Sequence, residues 1–227
     1  MSTTAAVFTG GFKRTHGAFK WGALALKNFG SHYGFMENGV VFSKLQPGLS
    51  TIYTLLDGRT EMKTWSEDDH PLLSKIRYAR QNGVPIIMGD DPKTRMPIPG
   101  ALVSRWGEGN WSGSENNKLR TLRAAAALQE INGKRFLLYA VFTSATPSAM
   151  VRVFQAYRCA YAMPLDMNAL ELTYLAIYKR EGSTLYVQHL IQGMAQVDKS
   201  VKGKFIPRFL GYPDNRDFFY LLRKGPS

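Results

Sequence analysis

The chain has 227 residues, 44% of them hydrophobic, and 29 Lys and Arg against 17 Asp and Glu give a formal net charge of +12. That length and apolar content support a buried core and exclude disorder as a global description, and the cationic surplus points to polyanionic partners, nucleic acid ahead of an anionic membrane surface. The lone cysteine, Cys159, excludes an internal disulfide and a cysteine-built zinc site.

The N-terminal stretch MSTTAAVFTGGFKR lacks the apolar run of a secretory signal. Ser2 stands where myristoylation needs glycine, no prenylation cysteine ends the chain, and no segment approaches the ~18–20 apolar residues of a spanning helix. These features set the expectation of a cytoplasmic protein with no membrane partner. In chain order, residues 18–30 have helical spacing and stop at Gly30. Asn38-Gly39 between apolar runs in 33–45 signals a hairpin. Residues 50–56 read as a strand. Residues 66–83 read as a helix with acids at its start and cations near its end, which suits the helix dipole, and 84–88 as a strand. Residues 89–117 are crowded with Gly, Pro, Asp, Asn and Ser around a short strand at 100–106. Ser114 is placed to cap a helix running to Asn132-Gly133. Strands follow at 134–144 and 149–157, then a helix at 163–182, a segment at 184–197 that fits either state, a basic loop at 197–205 and a terminal helix at 213–225. Helices and strands mix without strict alternation, so the expected fold is α+β, with mostly antiparallel strands and long loops. A soft boundary near residue 110 separates a loop-rich part, 1–110, from a more helical part, 111–227, within what can also be one continuous domain.

The cations define the candidate site. Lys13 and Arg14 sit in a glycine-bearing loop near Lys20, Lys93 and Arg95 in the loop DDPKTRMP, and Arg105 beside Trp106. Lys118, Arg120 and Arg123 follow the amide-rich loop 112–117, and Lys199, Lys202 and Lys204 form a further cluster. On the expected helix Arg120 and Arg123 share a face. Phe12, Trp106 and Trp111 lie beside these loops, and cations interleaved with aromatic planes suit phosphates and stacked bases. Taken singly, each cation also fits an ordinary solvated surface; the set, with the net charge, favours nucleic acid, RNA or DNA. The alternative is a Mg²⁺-dependent nuclease in which Asp69, Asp91 and Lys93 approximate a PD-(D/E)xK arrangement, although Pro92 interrupts the acid-and-lysine strand. No Walker loop and no G-x-S-x-G elbow occurs. His16, His32, His70 and His189 show no ligand spacing. The expectation is therefore no cofactor, no metal and no catalytic set.

Three short segments carry a resemblance. Phe8-Thr9, then Ser31 to Lys44, then Val84-Pro85 through Lys93 to Ala101–Val103 fall in an order similar to the large-subunit-like protein of type IV CRISPR effector complexes. The resemblance covers residues 7–105, and the paired cysteines of that family are absent here. It implies a non-catalytic subunit of a ribonucleoprotein in antiviral defence, held among other protein subunits. Such a subunit contacts the guide RNA 5′ end and the motif flanking the DNA target. Lys93 matches the cation of the family's turn. A viral nucleoprotein is the companion reading from charge alone.

Overall fold

The computed structural model describes residues 3–11, 34–105, 118–212, 214 and 216–223. Among them the strands, in chain order, are β1 (Thr4–Thr9), β2 (Phe35–Glu37), β3 (Val40–Ser43), β4 (Ser50–Leu55), β5 (Thr60–Thr64), β6 (Ile76–Gln81), β7 (Ile87–Asp90), β8 (Pro97–Pro99), β9 (Thr121–Ile131), β10 (Lys134–Ala145), β11 (Cys159–Met167), β12 (Leu175–Glu181), β13 (Thr184–His189), β14 (Lys199–Val201), β15 (Lys204–Ile206) and β16 (Phe218–Leu222), with one α-helix, α1 (Pro147–Ala156). They assemble a four-stranded sheet in the order β13-β12-β1-β16 and two five-stranded sheets, β3-β2-β6-β4-β5 and β10-β9-β11-β7-β8. β14 and β15 form a separate ribbon. The strand pairings described within these sheets are antiparallel. The fold is thus β-dominated, with the antiparallel strands that were expected and less helix than the sequence suggested.

The reason is legible in β9. Side chains alternate faces along a strand. Ala124 and Ala126 pack with Phe8 of β1, Ile52 of β4 and Met163 and Leu165 of β11. Ala125 and Ala127 pack on the other side with Ile87, Ala162, Met150 and Phe154, under α1. All four alanines are at most 2% exposed. Alanine has the highest helix propensity, but propensity is a weak prior that tertiary packing overrides. The helix expected between Ser114 and Asn132 is therefore a strand over its described part, and Asn132-Gly133, at φ 52° and 71°, is the tight turn into β10 rather than a helix stop.

Other expectations change for similar reasons. The helix expected at 66–83 is a 3-10 turn, Glu67–Lys75, interrupted by Pro71 and followed by β6. The helix expected at 163–182 is β11, a short 3-10 turn at Leu170–Leu172 and β12. Its apolar residues serve separate cores, Met163 and Leu165 facing Phe8 while Tyr174, Ala176 and Tyr178 pack with Val7 and Met194. The terminal helix expected at 213–225 is β16, paired with β1. The strand expected at 149–157 is α1, which Thr146 caps by accepting the Ala149 N–H, with Pro147 in its first turn. The strand expected at 100–106 is a turn and a 3-10 segment, Val103–Arg105. Residues 184–197 divide into β13 and a 3-10 turn, and the basic loop is the β14-β15 ribbon. The helix expected at 18–30 lies outside the described residues. Strands from either side of residue 110 share one sheet, and Val84, Ile86 and Ile87 share one core with Ala125, Met150 and Phe154.

The double burial of β9 gives a direct test. Ala125→Leu and Ala126→Leu each insert volume where a second layer already sits, and each is expected to lower the unfolding free energy by about 1–3 kcal/mol. Ile131→Lys, at the 45%-exposed end of the same strand, is expected to stay within about 0.5 kcal/mol. Urea denaturation of the three variants reads the difference.

Candidate functional site

Lys13, Arg14, Lys20 and Trp111, with Phe12 and Trp106, lie outside the described residues. Lys93 and Arg95 occupy the turn between β7 and β8, where Asp91 Oδ1 accepts the Lys93 and Thr94 N–H groups, both at 2.8 Å. Ile87 pairs with Ala162, which places that turn at the end of the sheet where β11 begins. Lys118 and Arg120 precede β9 at the opposite end, where Arg123 pairs with Met167 near the end of β11. The sheet therefore separates these two groups of cations. Arg105 closes the 3-10 segment after β8. Arg123 is buried, 3% exposed. Its Nε donates to the Ala145 carbonyl at 2.9 Å and its Nη2 to the Leu119 carbonyl at 3.2 Å. Burial pushes its guanidinium down to about 10. It ties β9 to β10 and offers nothing to a phosphate at the surface, and the helix face that was to join it to Arg120 does not form. Lys199, Lys202 and Lys204 are brought together, on the ribbon.

The carboxylates of the nuclease reading are engaged locally. Asp69 accepts from the Ser66 backbone and hydroxyl in a capping box and pairs with Lys63. Asp91 shapes the turn that carries Lys93, whose N–H helps hold that carboxyl below its usual range after the larger effect of the Thr94 N–H. Among the described residues no three His, Cys, Asp or Glu side chains converge as a metal-ligand set.

A different constellation forms where strands from all three sheets end. β1 ends at Thr9 and leads into Gly10-Gly11, β6 ends at Gln81 and leads into Asn82, and β11 approaches its end at Asp166. Arg216 and Asp217 precede β16, whose Phe218 pairs with Thr9. Antiparallel registers fix this convergence, and the shared core of Phe8, Ile52, Met163 and Leu165 lies beneath it.

Six hydrogen bonds organise the junction. Asp166, 2% exposed, bonds through Oδ2 to Arg216 Nη1 and through Oδ1 to the Met167 N–H at 2.9 Å. Asp217 accepts from the Gly11 N–H at 3.1 Å and from Arg80 Nε at 2.5 Å. Arg80 also donates to the Gln81 carbonyl. Asn82, 1% exposed, donates Nδ2 to the Pro164 carbonyl at 2.9 Å, two residues before Asp166. The Asn82 Oδ1 is buried and accepts no hydrogen bond among the described residues. Its neighbour Gln81, equally buried, is saturated: Oε1 accepts from Gly34 and Gln46, and Nε2 donates to Gln46 and Thr51. A buried acceptor without a donor is costly, and among the described residues the contrast singles out the Asn82 Oδ1 beside Gly11.

The glycines make the junction close-packed against these groups. A Cβ at Gly10 would stand 2.7 Å from Asp217 Oδ2, and one at Gly11 2.6 Å from Asn82 Oδ1. Burial pushes the Asp166 carboxyl up to about 6, with Arg216 opposing the shift and Asp217 adding to it. Exposure grades outward: the side chain of Asp166 is 3% exposed, Arg216 12%, Arg80 13% and Asp217 33%. The arrangement sets a deep carboxyl, Asp166, against the Arg216 guanidinium and a carboxylate nearer the rim, Asp217, against that of Arg80. None of these residues stood out in the sequence. The available signals were a lone acid in the apolar run MPLDM and the paired glycines closing the apolar run AAVFT.

No family model matches the chain, and no curated protein matches it. Among solved structures, the catalytic domain of zebrafish N-acetylglucosamine-1-phosphodiester α-N-acetylglucosaminidase, auto-inhibited by its pro-peptide, is similar to it with a TM-score of 0.48 and 10% identity. The match covers 77% of this chain and 53% of that one, so the chain spans about half the length of that neighbour.

The perturbed carboxyl gives a pH signature in stability. Its pKa rises from 3.8 to about 6 on folding, so between those values the folded chain holds a proton that the unfolded chain releases. The stabilisation this provides is complete below the unfolded value and is lost as pH rises through the folded one. Relative to Asp166→Asn, the wild-type unfolding free energy is expected to fall by on the order of 3 kcal/mol from pH 4 to pH 7. Urea denaturation across that range measures it, and parallel pH profiles for the two proteins would refute the assignment.

Proposed function

We propose that the strand-end junction is a general acid–base centre acting on an anionic phosphate ester that also carries a hydroxyl group. The observation that carries this reading is the buried Asp166–Arg216 pair near the Asn82 Oδ1, which has no partner among the described residues. Each group asks for a different part of the ligand. An unpaired amide oxygen needs a donor, which a substrate hydroxyl supplies. With both carboxylates ionised, Asp166 and Asp217 balance Arg216 and Arg80; protonation of Asp166 leaves the cluster with a positive excess and frees Arg216 to face an anion. Guanidinium recognises phosphate oxygens through its planar fork of donors.

The chemistry follows from the same protonation. A carboxyl poised near 6 is close to the operating pH, where general acids work best. Asp166 gives its proton to the departing ester oxygen as the phosphorus–oxygen bond breaks. Asp217, at the rim beside Gly11, takes a proton from the attacking water. Two carboxyl groups in contrasting environments divide the acid and base roles. The net charge of +12 supports the reading by drawing anionic ligands toward the molecule.

Hydrolysis of glycerophosphoethanolamine, a diester with an anionic phosphate, free hydroxyls and alkoxide leaving groups, by the purified chain tests the proposal. Turnover is expected to fall as pH rises above about 6, where the acid loses its proton, and Asp166→Asn is expected to lower kcat by about 10²–10⁴-fold. Asn82→Ala is expected to raise KM more than it lowers kcat for a hydroxyl-bearing ester. Undiminished turnover in a folded Asp166→Asn variant, or no turnover by the wild type across pH 4–8, would overturn it.

A further inference from the structure

The β14-β15 ribbon shares no residue with the junction, and it carries three exposed lysines, Lys199, Lys202 and Lys204, within six residues. The register pairs Lys199 with Ile206, Ser200 with Phe205 and Val201 with Lys204. Directly opposed residues lie on one face of an antiparallel pair, so Lys199, Val201 and Lys204 share a face while Lys202 stands at the tip. Residues 199–205 are all exposed. Among the described residues no ion pair engages these three lysines.

Asp198, the acid beside them in the chain, is turned inward. Its side chain is 2% exposed, with His189 Nε2 at 2.6 Å from Oδ2. Tyr174 Oη and the Arg208 N–H donate to Oδ1 at 2.9 and 2.8 Å. These contacts anchor the base of the ribbon and leave its lysines unscreened. The Lys199 ammonium sits 3.9 Å over the Tyr212 ring, a contact that positions the cation and keeps its charge.

The tip carries an independent signal. Lys202 and Gly203 form a two-residue turn with φ 50° and 74°. Asn38-Gly39 and Asn132-Gly133 occupy equivalent turns at φ 49° and 80°, and 52° and 71°. Asparagine tolerates that backbone and is preferred there, whereas lysine gains nothing from it. What Lys202 adds is charge at the outermost point of the ribbon.

We propose that the β14-β15 ribbon docks on the phosphate backbone of a nucleic-acid duplex, with Lys199, Lys202 and Lys204 each meeting a phosphate. A two-stranded antiparallel ribbon fits a DNA major groove about 12 Å wide. Lys199 and Lys204 are diagonal neighbours, with Cβ atoms about 7–8 Å apart, so their long side chains reach separate phosphates. The exposed Val201 lies beside them on that face and gives it an apolar contact for the groove floor, while Phe205, opposite Ser200, lies on the other face. This surface is independent of the acid–base junction and stands or falls without it.

Binding of the full chain to a labelled 20-base-pair DNA duplex at 50 and 200 mM salt tests the proposal, with Lys202→Asn and the triple variant Lys199→Ser, Lys202→Asn, Lys204→Ser. Losing three phosphate contacts is expected to reduce the salt-induced drop in affinity between those conditions by about 40-fold, and losing one by about 3–4-fold. Lys202→Asn is expected to do so with an unchanged or higher melting temperature, because it installs the residue that the turn prefers. If the triple variant lacks a cooperative melt, Lys202→Asn alone decides. Wild-type affinity and salt dependence in the folded variants would overturn the proposal. So would absence of duplex binding at 50 mM salt, or binding only to phosphatidylglycerol vesicles.

Discussion

Alanines 124 to 127 let two layers close on one strand from opposite sides, and much of the architecture is arranged around that approach. One side meets Phe8, Ile52 and Met163, drawn from β1, β4 and β11. The other meets Met150 and Phe154 of α1. A larger side chain at any of these positions would separate the layers, because interiors pack at crystal-like density and have little room to give. The three sheets are held in contact by the smallness of one strand. The sheets in turn fix where their strands end.

That placement makes the junction possible. Asn82 reaches a carbonyl 82 residues away, and Asp166 reaches an arginine 50 residues away. Neither bond is local, so both depend on registers set elsewhere: Thr9 opposite Phe218, Thr51 opposite Gln81 and Met167 opposite Arg123. A shift of one residue in any of these would turn the polar groups to the other face of their strand. Burying a carboxylate and a guanidinium together gives weak support to stability, since desolvation offsets their attraction. The fold nevertheless keeps this pair at 3% and 12% exposure, near an acceptor that has no donor among the described residues. That gathering of unfavourable groups is the observation behind the proposed acid–base role.

The sequence disclosed local structure better than long-range structure. Asn38-Gly39 marked its hairpin, and residues 50–56 and 134–144 their strands. Errors gathered where both faces of a strand are buried. With core on both sides, β9 and β11 lose the polar-apolar alternation that identifies a strand, and alanine and leucine spacing then imitates a helix. The helix α1 was hidden in the opposite way, its Thr146-Pro147 start passing unnoticed ahead of an alternating run. The candidate junction was illegible for a plainer reason. Residues 10, 11, 80, 82, 166, 216 and 217 are joined only by strand register, and each taken alone reads as an ordinary turn or surface residue.

The cation surplus separates into two populations once the chain is folded. Arg80, Arg208 and Arg216 lie inside or nearly so, each paired with a carboxylate, while buried Arg123 holds backbone carbonyls. Guanidinium suits that role: its planar fork matches carboxylate geometry, and it is less strongly hydrated than an ammonium group. The lysines of the ribbon remain outside, on an element that contributes no residue to the three large cores. Net charge sums the two populations and so overstates the surface available to a polyanion. It also conceals the interior arginines, of which Arg216 alone is paired with Asp166. The nearest acid in the chain to the ribbon lysines, Asp198, is turned away from them toward Tyr174, His189 and the Arg208 backbone. Salt, which screens exposed charges far more than buried pairs, therefore bears on the ribbon's attraction for phosphate more than on the Asp166–Arg216 pair.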